Sequence, residues 1–159
     1  MKKCLFTFAS VLLLQLQTGV AASPEEEARF VAAVKQAFEK HDAEGLIALT
    51  CWDRVTDKSK DFGKRHFAKV VARTATDFTL TNPDPQYPVG EWKEADGVTY
   101  GLNLPLVKQL KVVLSVKDKI KDKAPEAIDV FGIDDYGMII FNVGEKDGKL
   151  YLLEPAPVK

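Results

Sequence analysis

The residues of this sequence able to move a proton at a defined site are few, and His66 stands first among them. It lies four residues after Phe62 and four before Val70, on or beside the apolar face of a helix, yet between Lys64, Arg65 and Lys69. Two readings follow: an imidazole turned inward, or a boundary histidine near solvent. Asp53 comes directly after Trp52, where a short helix should end. It is either a proton acceptor or the cap of a turn toward Thr56 and Asp57, a task Asp performs routinely. Asp77 is the third candidate, and Tyr100 a companion for either. A carboxylate or imidazole held among apolar groups has its pKa moved toward neutrality, which suits it to general acid-base work.

Other chemistries find less support. Trp52 and Trp92 are the aromatics large enough to line a ligand cavity, and core packing explains them equally. His41, just before Asp42, fits a helix C-terminal cation with no chemistry assigned to it. Leu46, Ile47, Leu49 and Trp52 surround Cys51, which favours a buried small hydrophobe over an intermolecular or nucleophilic thiol. Asp129, Asp134 and Asp135 near Gly132 and Gly137 suggest calcium, but the alternating ligands and bidentate Glu of a calcium loop are missing. Zinc spacing, a phosphate loop, a nucleophile elbow and a CxxC pair are all absent from the sequence. No metal and no cofactor are expected.

The 159 residues are 46% hydrophobic and 28% charged, which excludes collagen-like, low-complexity and disordered chains. Lys2 and Lys3 precede an apolar run from Leu5 to Leu16 and then the small residues Gly19, Ala21 and Ala22, the pattern of a secretory signal peptide. The run is too short to span a bilayer, which takes about 20 apolar residues. Cleavage after Ala22 is expected, leaving residues 23–159 as one domain in a secreted or periplasmic setting. That mature chain carries 20 basic against 23 acidic residues, a net charge of −3. Such a balance predicts no attraction to nucleic acid or to an anionic membrane.

The elements that must position these side chains follow from spacing. Ser23-Pro24-Glu25-Glu26 predicts an N-cap, a first-turn proline and a capping box, and Phe30, Val34, Phe38 and His41 continue a helical stripe. Asp42 predicts the cap of a short second helix that Gly45 weakens, and a third helix is expected after Asp57, weakened by Gly63. From Thr76 the period becomes two, with Phe78 and Leu80 on one face. Strands are expected over Val98–Leu104 and Leu106–Val116, with Pro105 as a bulge, bend or edge between them. Residues 82–90 read as a proline-rich loop, and Lys117–Lys123 as a solvated connection. Met138–Val143 and Leu150–Leu153 flank Asp147-Gly148, a tight hairpin turn that sets Val143 opposite Leu152 and Asn142 opposite Leu153. Glu154-Pro155-Ala156-Pro157 should then end the sheet.

Helices followed by a long terminal hairpin, on the segments Phe30–Phe38, Leu49–Asp53 and Val143–Leu152, make the chain resemble the nuclear-transport-factor-two-like superfamily over residues 25–154. The resemblance implies an α+β, cystatin-like fold: N-terminal helices packed on a strongly bent antiparallel sheet, forming a cone-shaped half-barrel with a pocket in the cone. Asp53, His66 and Tyr100 would then face that pocket, with Trp52 and Trp92 among its walls.

Such folds serve isomerases, dehydratases and cyclases as well as binding and dimerisation modules, so the fold does not choose. The reading that follows is a secreted, non-catalytic module binding a small apolar ligand or a partner chain. The alternatives are an acid-base enzyme using Asp53 and His66, and a homodimer formed through the sheet face that carries Val113.

Overall fold

The computed structural model describes residues 22–86, 89–95, 97–115 and 137–158. Residues 1–21 of the expected leader, the Lys117–Lys123 run, Val116 and the acidic group Asp129, Asp134 and Asp135 lie outside the described residues.

Among the described residues three helices come first: α1 (Pro24–Glu39), α2 (Ala43–Ala48) and α3 (Asp57–Val71). Each starts at the side-chain cap its sequence supplies. The Ser23 hydroxyl accepts the Glu26 N–H at 3.2 Å, Asp42 the Gly45 N–H at 3.1 Å, and Thr56 the Ser59 N–H at 3.2 Å. The reciprocal half of the capping box does not form. The Glu26 carboxylate instead accepts the Leu150 N–H at 3.0 Å and binds Arg29, so the first turn of α1 is tied to a distant hairpin. Burial alone would raise the Glu26 pKa, but these donors outweigh it and the carboxyl lies below its ordinary value.

Among the described residues seven strands follow: β1 (Ala75–Thr81), β2 (Trp92–Lys93), β3 (Thr99–Leu102), β4 (Leu106–Leu114), β5 (Met138–Lys146), β6 (Lys149–Leu152) and β7 (Pro155–Pro157). They make a four-stranded sheet in the order β1-β4-β5-β6 and a three-stranded sheet in the order β2-β3-β7. All named pairings are antiparallel. The architecture is α+β, with helices leading into a strongly curled antiparallel half-barrel. Phe30, Val34 and Phe38 of α1 and Phe67 and Val70 of α3 pack on Leu110, Val112, Ile139 and Phe141 of the sheet. Each such side chain contributes roughly 2 kcal/mol of burial. Val113, on the other face of β4, is 38% exposed, as strand alternation requires.

The hairpin has the register its turn predicts. Asp147 and Gly148 take φ values of 52° and 74°, Val143 pairs with Leu152, and the Leu153 N–H donates to the Asn142 carbonyl at 2.9 Å. The expectation for Pro155–Pro157 is overturned: the segment continues the sheet as β7, with Ala156 paired to Gly101. Its prolines fall at alternate positions on an edge strand, where no inward amide is required of them. The Asn103 N–H to Glu154 carbonyl bond (3.1 Å) and the Val158 N–H to Thr99 carbonyl bond (2.8 Å) close the ladder at its two ends. Pro105 marks the step from one sheet to the other. There Gly144 leaves the only room available: a Cβ on it would stand 2.7 Å from Leu153 Cδ2 and 3.0 Å from the Pro105 carbonyl. Among the described residues, no helix is long and apolar enough to cross a membrane.

Candidate functional site

Two of the chain's passages between the two sheets, Asn103–Pro105 and Leu153-Glu154, lie side by side. The Asn103 side chain accepts the Glu154 N–H at 3.2 Å and donates to the Cys51 carbonyl at 2.6 Å. Its backbone N–H donates to the Glu154 carbonyl, and its own carbonyl takes the Arg54 guanidinium at 2.5 Å. The backbone at Glu154 is therefore held from both sides.

That clamp drives the Glu154 side chain inward against α3. A Cβ placed on Gly63 would stand 3.2 Å from Glu154 Cδ and 3.2 Å from its Oε1, so only a glycine there leaves the carboxyl unpressed. Glu154 is 2% exposed, and its Oε2 has no hydrogen-bond partner among the described residues. Desolvation pushes the carboxyl up to about 8. At neutral pH the group therefore carries its proton and can donate it.

Beside this carboxyl lies a cavity of about 320 Å³, at the lower end of the range of ligand pockets. Phe67, Trp92 and Phe141 give it aromatic walls, with Leu102, Ile140 and Leu152 as aliphatic ones. Its polar side chains are Glu154, His66, Asn142 and, at an exposed position, Glu91. Gln109 Nε2 lies 3.3 Å from Asn142 Oδ1 and fixes the orientation of that amide. A second, larger hollow between α1 and β1 is bordered by exposed Lys35, Glu39, His41 and Asp77 and offers no buried polar group.

The sequence candidates divide. His66 takes the inward of its two readings: it is 5% exposed, stacks on Phe62 with ring centroids 6.5 Å apart, and lines the cavity. Trp92 lines it too. Tyr100 stacks on Trp92 with centroids 6.2 Å apart and stands outside the lining of this cavity. Trp52 also stands outside that lining. Its indole N–H donates to the Ile47 carbonyl at 3.0 Å and its ring meets Phe67 edge-on, so it packs behind the wall.

Asp53 too lies away from this cavity. It sits at the surface bonded to Lys146 Nζ at 2.5 Å, and that bond and charge hold its carboxyl below the ordinary value. Asp77 is exposed and takes the Thr79 hydroxyl at 2.9 Å. Cys51 is buried and free. His41 serves the end of α3 rather than its own helix: Nδ1 lies 2.6 Å from the Val71 carbonyl, which makes it the donor.

Glu154 was missed because Pro155 read as a stop. The signal that could have found it is strand alternation, since Leu150, Leu152 and Glu154 fall on one face and the first two are core residues. Among the described residues no group of three or more His, Cys, Asp or Glu is placed to hold a metal ion. No protein-family model, no curated protein and no solved structure matches the chain.

Proposed function

We propose that this chain is a secreted, non-catalytic binding domain that takes a small, mainly apolar molecule into the cavity beside Glu154. The observation that carries the reading is the cavity itself: about 320 Å³, walled by Phe67, Trp92, Phe141 and Leu102, around one buried carboxyl. Apolar walls supply affinity and a few fixed polar groups supply orientation, the usual division of labour in ligand pockets. The order of helices and strands supports the likeness to the nuclear-transport-factor-two-like superfamily, and the Lys2-Lys3 flank with its apolar run supports secretion. Titrating the mature chain with a panel of small hydrophobic molecules, followed by thermal shift and by NMR, tests it. Ligands should raise the melting temperature and move the resonances of His66, Phe67 and Trp92. Silence across a broad panel overturns the reading.

One observation favours a second reading, an isomerase- or dehydratase-like enzyme: His66 and Glu154 line the same cavity, and a carboxyl raised to about 8 is matched to proton transfer near neutrality. Turnover of a bound molecule that is lost in both His66→Asn and Glu154→Gln, with binding retained, is the result this reading requires.

A further inference from the structure

We propose that the cavity selects a small amphiphilic amine, seating its ammonium on Glu154 and its apolar body against Phe67, Trp92 and Phe141. The inference rests on the cavity-binding reading above and names the class of ligand.

The sign of the site points to a cation. Among its described lining residues, Glu154 and Glu91 are acidic and none is Lys or Arg. A cationic ligand therefore meets no fixed positive lysine or arginine among the described residues, whereas a carboxylate ligand would meet the Glu91 charge and find no cation to pair with. The walls agree with this, because the faces of Trp and Phe attract an ammonium more strongly once it leaves water. The buried oxygen agrees as well. Glu154 Oε2 lacks a partner among the described residues although the residue is 2% exposed, and an unpaired buried acceptor is a standing cost that a ligand donor removes. A neutral ketone or ester would gain one ordinary hydrogen bond from the protonated carboxyl. An ammonium gains a charge-assisted bond, roughly twice as strong.

Proton balance gives the inference a signature of its own. The free site holds Glu154 as the acid, and the amine arrives as ammonium. Binding breaks the carboxyl O–H bond, sends that proton to the buffer and leaves a carboxylate paired with the ammonium. Gly63 of α3 lies against the Glu154 carboxyl, and His66 from α3, Asn142 from β5 and Glu91 ahead of β2 line the cavity with it. Of these Glu91 is exposed to solvent and His66 is buried.

The test is isothermal titration of the purified chain with phenethylamine and n-hexylamine, against phenethyl alcohol and n-hexanol, and against phenylacetate and hexanoate. Run at about pH 6.5 in buffers of different ionisation heat, it also counts protons released. The amines should bind about tenfold or more tightly than their alcohols, and each bound amine should release close to one proton. In Glu154→Gln, which keeps shape and removes the acid, the amines should fall to the level of the alcohols and release none. Alcohols or carboxylates binding as well as the amines, or amines binding with no proton released by the unaltered chain, overturns the inference and leaves the cavity reading standing. Failure of all six to bind at millimolar concentration overturns both.

Discussion

The carboxyl of Glu154 rests on the bare backbone of Gly63, with 3.2 Å between its Cδ and the place a Cβ on Gly63 would occupy. A glycine in the middle of α3 costs about 1 kcal/mol of helix propensity relative to alanine, and the carboxyl cannot retreat because Asn103 clamps its backbone. Gly63→Ala alone should therefore lower stability. In a Glu154→Ala background the same substitution should raise it by about 1 kcal/mol, since only the propensity gain remains. A double-mutant cycle from urea unfolding measures the difference; equal effects in the two backgrounds would show that the two residues do not press on each other.

The same carboxyl sets a pH dependence. Folded, it keeps its proton to about pH 8; unfolded, it releases it at the ordinary value of 4.5. Between those values the folded chain binds more protons than the unfolded one. Stability is thus full below the lower value and declines as pH rises through the window, by up to about 1.4 kcal/mol per unit. Glu26, Asp53 and Asp84, whose pKa values are lowered, act oppositely and cost stability only as the solution becomes more acid than their ordinary range. Urea midpoints measured from pH 5 to pH 8 should fall, and Glu154→Gln should flatten the fall. A flat profile in the unaltered chain would place the proton elsewhere.

What the sequence made legible was local. The Ser23 cap with Pro24, the Phe30, Val34 and Phe38 part of the stripe and the Asp147-Gly148 turn each depend on residues within a few positions and form as read; the Glu26 half of the capping box does not, and His41 falls beyond the end of α1. His66 was half legible. Its spacing from Phe62 and Val70 pointed inward while Lys64 and Arg65 pointed outward, but neighbours about 100° apart on a helix do not set each other's burial. Asp53 was illegible because its partner, Lys146, is 93 positions away. Glu154 was hidden by the reading of proline as a terminator, a rule that edge strands escape when their prolines face away from the ladder.

Asn103 is the joint between the two sheets, and its loss should be costly. It is 1% exposed, and its side chain satisfies both the Glu154 N–H and the Cys51 carbonyl. Asn103→Ala leaves two buried polar groups without that partner, each costing about 1–3 kcal/mol. A loss of roughly 3 kcal/mol in urea unfolding is expected, together with weaker ligand binding as Glu154 loses its fixed backbone. A change under about 0.5 kcal/mol, typical of a surface site, would mean the crossing is held by its backbone bonds alone.

The position at which the chain is cut near Ala22 should also register in stability. Ala22 packs half-buried against the core, and its N–H donates to Glu145 Oε2 at 2.8 Å. A chain beginning at Ala22 would turn that amide into an ammonium beside the carboxylate, strengthening the bond with charge. One beginning at Ser23, as cleavage after Ala22 produces, loses the contact and places its positive terminus on the N-cap of α1, where the helix dipole disfavours it. Glu25, Glu26 and Glu27 in the first turn offset part of that repulsion. The Ser23 chain should be less stable by about 1 kcal/mol, a drop of a few degrees in Tm for a domain of this size. Glu145→Gln should narrow the gap by removing the partner charge. Recombinant chains with the two starts, compared by calorimetry, decide it: coincident melting would mean that Glu145 does not anchor the N-terminus.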